Sequence, residues 1–462
     1  MNVIWVVADT FRRDHIGAYG NDYIHTPSLD TLAAKSVRFD GHHAGGFPTM
    51  PTRADHATGR WNMSFMGWEP LPDDATTLAQ ILADSGFHTA ATVDTPFYWR
   101  HGMNYDRGFG TFFTIQGQEG SGTRVHRVGN HESRDVVERW KVESDRNVAQ
   151  TMMSAMEWLE LHYKEDFFLY VDTWDPHEPW DAPPYYTERY WPGYDGEIIQ
   201  PIYANWQDAP GFTEERVNKA HATYCGEITM VDTWLGYLLR RVENMGLMDN
   251  TAIIFTSDHG FYFGEHGGRF GKMTFAKKPD GSLYHFDKNS EWEHSPLYEE
   301  LVALPLIIYV PGVIPGTYQG LTSAIDPMPT VLDILGQEIP DWVDGRSLLP
   351  AMRDSSISGR DFTISTIPFA NPGDRVRSVD NVSRPLTAGL VTTITAGEWS
   401  LLYSVEPGMS ELYNLSTDPR QENNIISKEF DKAKDIHEYL IKFMRETNVP
   451  SGLMKPRMEL SL

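Results

Sequence analysis

The sequence predicts an α/β protein whose large N-terminal domain is built on a mostly parallel central sheet flanked by helices. Four apolar, β-branched runs lead to this prediction, at residues 3–8, 89–93, 167–171 and 251–255. Strands that are buried on both faces of a parallel sheet have this continuous apolar character. Helical spacing of apolar residues lies between the runs, at 78–85, 147–162 and 220–243. This alternation of strands and helices is typical of α/β domains.

The last quarter of the chain has a different pattern. Short apolar runs at residues 362–367, 390–394 and 399–404 alternate with turns, and a helical pattern follows at 428–446. Residues 371–384 are polar and are predicted to form a loop. We therefore expect a large domain at residues 1–355 and a small α+β subdomain at residues 356–462.

Composition excludes several function classes. A formal net charge of −25 argues against a nucleic-acid or anionic-membrane partner, so an anionic substrate needs a local positive pocket. No run of about 18 apolar residues could span a membrane. The single cysteine, Cys225, cannot form an internal disulfide, and its apolar helical spacing predicts a core thiol. Because the chain enters a strand at Asn2 without a leader pattern, we expect a cytoplasmic protein.

Residues 47–60 place a hydroxyl and an arginine around a proline. Proline is favoured at the first helical position, so we expect a helix to begin at about Pro51 with Thr49 just outside its N-terminus. The free N–H groups of such a terminus suit an anion, and Arg53 can add a forked donor for phosphate or sulfate. An ordinary capped helix with a surface arginine is the alternative that these residues leave open.

Polar residues follow several of the predicted strands. Ligands of open α/β sheets bind beyond the carboxyl ends of the strands, which is where Asp9 and the Asp258-His259 pair stand. Asp and His in tandem form a metal half-site, and Gly260 lets the backbone turn away. His177 stands between two prolines and is expected to present its imidazole to a pocket. A helix cap at Asp9 and a turn histidine without a role at 177 are the alternatives.

Taken in order, these segments resemble the sulfatase family. Residues 47–60 resemble its nucleophile segment, in which cysteine or serine, any residue, proline, any residue and arginine lead into Thr-Gly-Arg. The segments 9–39, 176–179, 258–260, 323–350 and 411–424 follow the family as well, so the resemblance covers nearly the whole chain. It implies an alkaline-phosphatase-like fold for the large domain, and a small antiparallel sheet with a helix for the C-terminal subdomain.

The chain departs from the family pattern at three places. Thr49 stands where the family has a maturable cysteine or serine, so no formylglycine is expected. Thr10 stands where the family has a second aspartate, so one usual metal ligand is missing. Many members carry a lysine and a histidine after the second strand to bind sulfate, whereas this chain has Asp94, Tyr98, Trp99 and His101.

The resemblance also implies roles for individual residues. Catalytic roles fall to Thr49, Arg53, His177 and Lys272, and substrate contacts to Tyr98, His266 and His294. Gly271-Lys272 resembles the active-site lysine of the family, but alignment back from Tyr298 puts His294 in that position. Of the two, Lys272 is favoured.

One divalent metal ion is expected, held by Asp9, Thr49, Asp258 and His259. The candidates are Mn, Zn or Ca, and an imidazole ligand shifts the preference from calcium towards manganese, zinc or iron. The cation would favour the alkoxide of the threonine hydroxyl, which is a weak nucleophile at neutral pH. Arg53, Lys272 and His177 would stabilise charge on the transferring group.

Three functions compete at this point. The first is a metal-dependent hydrolase of phosphodiesters or phosphonate monoesters with a covalent Thr49 intermediate, because an unmodified threonine must release its group by water attack at the central atom. The second is a sulfatase that uses unmodified Thr49. The third is a catalytically silent sulfatase-like binding protein. The expected partner is a small anionic ester, and the oligomeric state stays open, with a homo-oligomer as one alternative.

Overall fold

The computed structural model describes residues 1–95, 102–115, 140–275, 292–293, 295–379, 382–387 and 390–462. The strands of this part of the chain, in order, are β1 Asn2–Ala8, β2 Val37–His43, β3 His88–Val93, β4 Thr111–Thr114, β5 Phe167–Thr173, β6 Ala204–Asn205, β7 Thr251–Ser257, β8 Arg269–Phe270, β9 Thr274–Phe275, β10 Trp292–Glu293, β11 Leu306–Tyr309, β12 Gly316–Ser323, β13 Thr363–Thr366, β14 Arg375–Val379, β15 Val382–Thr387, β16 Thr392–Ala396, β17 Trp399–Tyr403 and β18 Glu411–Asn414.

The α-helices span Pro27–Ala33, Thr49–Thr58, Leu78–Asp84, Asn147–His162, Pro184–Thr187, Glu214–Asn244, Glu265–Gly268, Glu299–Val302, Pro327–Ile334, Leu349–Arg353, Phe430–Glu446 and Ser451–Met454. Single 3-10 turns span Arg13–His15, Gly17–Tyr19, Asn62–Ser64, Glu143–Asp145, Trp206–Asp208, Leu247–Asp249 and Lys455–Arg457.

Eight strands form the central sheet, in the order β12-β2-β11-β7-β1-β5-β3-β4. The five strands from β7 to β4 are mutually parallel, as are β12 and β2, and β11 runs antiparallel to both of its neighbours. The predicted mostly parallel sheet is therefore confirmed. In the register, Ala8 pairs with Thr173 on one side and Ser257 on the other, so the residues that follow these three strands leave the sheet at one level.

Both faces of the sheet are buried, as the continuous apolar runs predicted. Alternate residues of β1 enter two different cores, with Ile4 and Val6 in one and Val3 and Trp5 in the other. The Asn147–His162 and Glu214–Asn244 helices cover the first face. The Thr49–Thr58, Leu78–Asp84 and Pro327–Ile334 helices cover the second face.

The Glu214–Asn244 helix begins six residues before the predicted start at 220. The hydroxyl of Thr213 accepts a hydrogen bond from the N–H of Arg216, which caps the helix. Glu214 and Glu215 in the first turn interact favourably with the positive end of the helix dipole. The cap and the acidic turn extend the helix through a segment that lacks a clear apolar stripe.

A second, antiparallel sheet of β13, β16, β17 and β18 lies in the C-terminal region, as predicted. The Phe430–Glu446 helix packs on it through Ile436, Leu440 and Met444. The predicted loop at 371–384 is wrong, because β14 and β15 pair there as an antiparallel ladder. The domain boundary near residue 355 stays a prediction.

None of the helices in the described ranges has the length and apolar character that a membrane crossing requires.

Candidate active site

Three predicted metal ligands meet where β1 and β7 end. Asp9 follows β1, and Asp258 and His259 follow β7, which pairs with β1 in parallel. One ligand atom of each lies within 4.8 Å of the others, and all three side chains are fully buried. The strand-end reasoning therefore places these residues together, although they are some 250 positions apart in sequence.

Thr49 lies inside the neighbouring helix and not just outside it. The carbonyl of Pro48 accepts the first helical hydrogen bond, from Thr52 N–H over 3.1 Å, so the helix begins at Thr49 and not at Pro51. Proline is tolerated throughout the first helical turn because the N–H groups there have no intrahelical partner. The Thr49 hydroxyl is 3.1 Å from Nε2 of His259, which brings the predicted nucleophile to the ligand cluster.

The environment of His259 fixes its chemical form. Its Nδ1 lies 3.0 Å from the carbonyl oxygen of Gly260, which accepts only from an N–H, so Nε2 carries the lone pair that faces Thr49. Burial, followed by the nearby Lys272 ammonium, lowers the pKa of His259 to about 3. The imidazole is therefore neutral, and its Nε2 can hold a cation.

The donor set fits a divalent cation. Burial, and then the adjacent Asp258 carboxylate, raise the pKa of Asp9 above its usual value. The nearby positive charges therefore do not fully compensate the burial of these two carboxylates. Two carboxylates, a neutral imidazole and a hydroxyl are ligands suited to Mn²⁺, Zn²⁺ or Ca²⁺. A cation bound here would reverse the shift in the pKa of Asp9.

Arg53 bridges the carboxylates of the cluster. Its Nη1 is 2.8 Å from Oδ2 of Asp9 and also contacts Asp258. Its other side forms a fork with Asp172, with Nη2 to Oδ1 at 2.8 Å and Nε to Oδ2 at 3.0 Å. Burial alone would lower the pKa of Arg53, but Asp172, Asp258 and Asp9 raise it well above its usual value. The guanidinium is thus a permanent positive charge within the site.

Asp172 is the main site residue that the sequence analysis missed. It lies near the carboxyl end of β5, beside β1, and accepts further hydrogen bonds from Thr95 Oγ1 at 2.6 Å and Tyr170 OH at 3.1 Å. Its position at the end of a buried strand was a signal for it, of the same kind that identified Asp9. The prediction placed only His177 beyond that strand.

His177 and Lys272 form the second part of the site. Lys272 Nζ is 2.5 Å from Nε2 of His177, whose Nδ1 lies 2.6 Å from the carbonyl oxygen of Glu178. Burial, and then the Lys272 ammonium, lower the pKa of His177 well below its usual value, so this imidazole is neutral. The ring stacks on Trp174 with centroids 3.9 Å apart. The structure thus brings Lys272 to the predicted substrate histidine.

Glu178 and Thr10 contribute contacts that the sequence did not suggest. The Glu178 carboxylate lies 3.5 Å from Lys272 Nζ and accepts a hydrogen bond from Tyr203. Thr10, at the position of the missing aspartate, has φ of 62°. Its N–H donates to Asp258 Oδ1 over 2.9 Å and its hydroxyl to Asp9 Oδ1 over 2.6 Å. Thr10 therefore orients both carboxylates of the cluster.

The other predicted substrate residues have mixed outcomes. Nε2 of His266 is 3.0 Å from Glu300, and its ring stacks on Tyr298 with centroids 3.6 Å apart. A substrate role for it stays a prediction. Asp94 accepts hydrogen bonds from Thr151 and from the Trp174 N–H, inside the protein. The remaining candidates lie outside the described residues: Tyr98, Trp99, His101 and His294.

Comparison with known proteins identifies the family of the chain. The family model described as Sulfatase matches residues 1–337. An arylsulfatase of Clostridium perfringens is 22% identical, covering 96% of this chain and 93% of that protein. The multifunctional alkaline phosphatase superfamily protein PehA of Trinickia caryophylli is 27% identical, over 77% of this chain and 78% of that protein. The crystal structure of the phosphonate monoester hydrolase of Agrobacterium radiobacter superposes with a TM-score of 0.72 at 21% identity, covering 96% of each chain. Since the family model spans more than half of the sequence, the chain belongs to the sulfatase family.

Proposed function

We propose that this sulfatase-family hydrolase is metal-dependent and cleaves phosphodiesters or phosphonate monoesters through a covalent intermediate on Thr49. The observation that carries the proposal is the Thr49 hydroxyl, 3.1 Å from His259 Nε2 and at the start of a helix beside the carboxylate cluster. Threonine keeps a hydroxyl nucleophile in place where the family pattern has a residue that matures to an aldehyde.

Asp9, Asp258, His259 and Thr49 are the residues that would hold the cation. When bound, a divalent cation lowers the pKa of a hydroxyl and neutralises charge on the transferring group. The Nε2 lone pair of neutral His259 faces the Thr49 hydroxyl, so these two of the atoms that would hold the cation already lie together.

Two displacements at phosphorus complete the reaction. In the first, the Thr49 oxygen bonds to phosphorus, the ester oxygen leaves as an alcohol and the hydroxyl proton is transferred to it. In the second, a water oxygen bonds to phosphorus, the threonine oxygen leaves and recovers a proton. Lys272 and His177, which lie next to each other, would contact the equatorial oxygens, and Arg53 would supply a fixed positive charge. The aldehyde exit of formylglycine chemistry is not open to the threonine ester, because its carbon carries no second hydroxyl.

Formal charge favours a monoanionic substrate. Asp9, Asp172 and Asp258 with Arg53 leave a formal charge of −2, which one divalent cation neutralises. The remaining ammonium of Lys272 is already next to the Glu178 carboxylate. With the cation bound the site is therefore formally neutral, so each negative charge of the substrate is uncompensated, and a second one adds a further cost of several kcal/mol. Phosphodiesters, phosphonate monoesters and sulfate monoesters carry one charge, whereas phosphate monoesters carry close to two.

Sulfate esters are the second candidate, and the arylsulfatase likeness favours them. The choice of phosphorus rests on the chemistry of threonine. A phosphoryl oxygen carries more negative charge than a sulfuryl oxygen, so the same cations stabilise its displacement more strongly while the threonine oxygen leaves. The likeness to PehA and to a phosphonate monoester hydrolase supports this choice.

The test compares matched aryl esters on one enzyme preparation. We expect kcat/KM for bis(4-nitrophenyl) phosphate or 4-nitrophenyl phenylphosphonate to exceed that for 4-nitrophenyl sulfate. Thr49→Ala should abolish turnover, Thr49→Ser should retain much of it, and acid-quenched wild-type enzyme should yield a phosphorylated Thr49 peptide by mass spectrometry. A tenfold or larger preference for the sulfate ester would replace the proposal by the sulfatase reading, and a fully active alanine variant would remove Thr49 from the mechanism.

A further inference from the structure

Two histidines and the only cysteine of the chain converge away from the active site. His221 and Cys225 are one turn apart on the Glu214–Asn244 helix and so share a face, and His15 reaches them from the 3-10 turn after β1. The two Nε2 atoms are 2.7 Å apart, and Cys225 Sγ is 3.7 Å from Nε2 of His221. All three ligand atoms lie within 4.8 Å of one another.

We propose that His15, His221 and Cys225 bind a zinc ion that holds the loop carrying Asp9 against the long helix. Two imidazoles and a thiolate are ligands that zinc prefers, with a fourth position left for water. On a tetrahedral zinc, two nitrogens lie about 3.3 Å apart and nitrogen and sulfur about 3.6 Å apart. The sulfur–nitrogen distance already fits, and the two nitrogens need to separate by about 0.6 Å.

The surroundings of the three residues suit metal ligands. Nδ1 of His15 is 2.8 Å from Oδ1 of Asp14, which is the carboxylate–histidine pairing that orients zinc-bound imidazoles. Asp14 is in turn held by Arg12, and its side chain is 59% exposed, so the cluster lies close to solvent. Burial, and then His15 and Arg12, lower the pKa of His221 to about 3, which keeps this imidazole neutral.

Zinc binding changes the protonation of the three ligands. Burial raises the pKa of the Cys225 thiol, so without a cation the sulfur keeps its proton. Zinc binding forms the sulfur–metal bond and releases that proton to solvent. The proton between the two Nε2 atoms moves to Nδ1 of His221, so both imidazoles bind in the neutral form. Cys225 is then a ligand, which is consistent with a buried thiol that is not a nucleophile.

The position of the cluster indicates its role. Tyr224, next to Cys225 on the helix, donates its hydroxyl to the carbonyl of Thr10 over 2.7 Å and accepts from Arg12 N–H over 2.9 Å. The helix that carries two of the ligands is thus already bonded to the loop that begins at Asp9. Zinc at this position would stabilise that loop without contacting the reacting ester.

Cobalt provides a specific test, because thiolate coordination to Co²⁺ gives an intense near-ultraviolet charge-transfer absorption. The catalytic ligands contain no sulfur, and Cys225 is the only cysteine, so this absorption can come only from the proposed site. On titrating metal-free full-length protein with Co²⁺, we expect the band in the wild type and in Asp258→Ala. In Asp258→Ala, where the catalytic cation site is lost, it should saturate near one equivalent. It should be absent in Cys225→Ser and lost or weakened at least about tenfold in affinity in His221→Ala.

Two controls separate this result from unfolding and from histidine loss in general. His162→Ala removes a histidine of an unrelated surface cluster and should leave the band unchanged. In the Asp258→Ala background, Zn²⁺ should raise the melting temperature, and adding Cys225→Ser should remove the increase. A wild-type protein without the band at saturating Co²⁺, or a band unaffected by His221→Ala, would overturn the proposal. Neither result depends on the nucleophile or on the substrate.

Discussion

Asp172→Asn tests whether the buried charge network is what organises the site. The wild-type carboxylate accepts two hydrogen bonds from Arg53, one from Thr95 and one from Tyr170. Asparagine keeps one acceptor oxygen but turns an NH₂ group towards the donors that faced the other oxygen. One charged hydrogen bond is therefore lost, at about 1.5–3 kcal/mol, and the new NH₂ group faces an N–H donor of Arg53. We expect the free energy of unfolding of the metal-free protein to fall by about 3 kcal/mol, near the lower limit for breaking a buried ion pair.

The same change should weaken cation binding. Asp9, Asp258 and Asp172 with Arg53 carry a formal charge of −2, and the substitution leaves −1 to meet a dication. Changing a residue that orients metal ligands costs about 10–100-fold in metal affinity, so we expect a loss of at least about tenfold for Mn²⁺ or Zn²⁺.

Urea denaturation of the metal-free protein and calorimetric titration with Mn²⁺ measure the two effects. The matched control is Asp232→Asn, which alters a buried carboxylate on the Glu214–Asn244 helix that accepts from the Ser28 and Leu29 N–H groups. It should change stability without changing Mn²⁺ affinity. If Asp172→Asn binds Mn²⁺ within threefold of the wild type, the idea that the network's charge is matched to a dication is refuted.

Three further predictions concern Lys272, the Thr10 position and the buried carboxyl of Asp175. Lys272→Ala should lower kcat at least ~10²-fold, as for other donors to a transition state, and His294→Ala much less; steady-state kinetics giving the reverse order would move the lysine role to His294. Thr10→Asp adds a carboxylate and should increase Ca²⁺ affinity measured by calorimetry, since aspartate also tolerates a positive φ better; unchanged affinity would show that the side chain cannot reach the ion. Burial, and then Asp181, raise the pKa of Asp175 to about 7, so the folded state binds more protons and loses stability as pH rises from about 4 to 7. Asp175→Asn should flatten that loss in urea denaturation at pH 5 and 7.5, and an unchanged slope would exclude this carboxyl as its source.

Most of the fold could be predicted because the sheet is buried on both faces. The cores of β1, β3, β5 and β7 were recognised from uninterrupted apolar runs. The β14–β15 ladder was missed because Arg375 and Arg377 alternate with valines in a short, polar segment. The helix start at Thr49 was missed because proline marks the first turn and not one position within it.

In the candidate site, too, local sequence signals could be read, whereas contacts between distant residues could not. The proximity of Asp9, Asp258 and His259 could be predicted because the end of each strand is a local signal. A parallel sheet brings such strand ends to one edge. The pairing of Arg53 with Asp172 joins residues 119 positions apart, and no pattern in either segment states that one neutralises the other. Lys272 beside His177 is a contact of the same kind, 95 positions apart, and only the resemblance indicated it. Charge pairing within a buried site depends on three-dimensional neighbours, which periodicity does not encode.

Thr10 orients the carboxylates of the cluster from the position where the family pattern has a second aspartate. Through its N–H and its hydroxyl it fixes both carboxylates of the cluster, and the Tyr224 hydroxyl holds its carbonyl. A positive φ is costly for a β-branched residue and persists only where such contacts maintain it. An aspartate here would bring the cluster's formal charge to −3, one more than a dication neutralises. A cation with fewer anionic ligands keeps more of its charge for the hydroxyl it meets, and an unmodified Thr49 needs that activation more than a hydrated aldehyde does. The missing ligand and the unmodified nucleophile are therefore consistent with one chemical strategy.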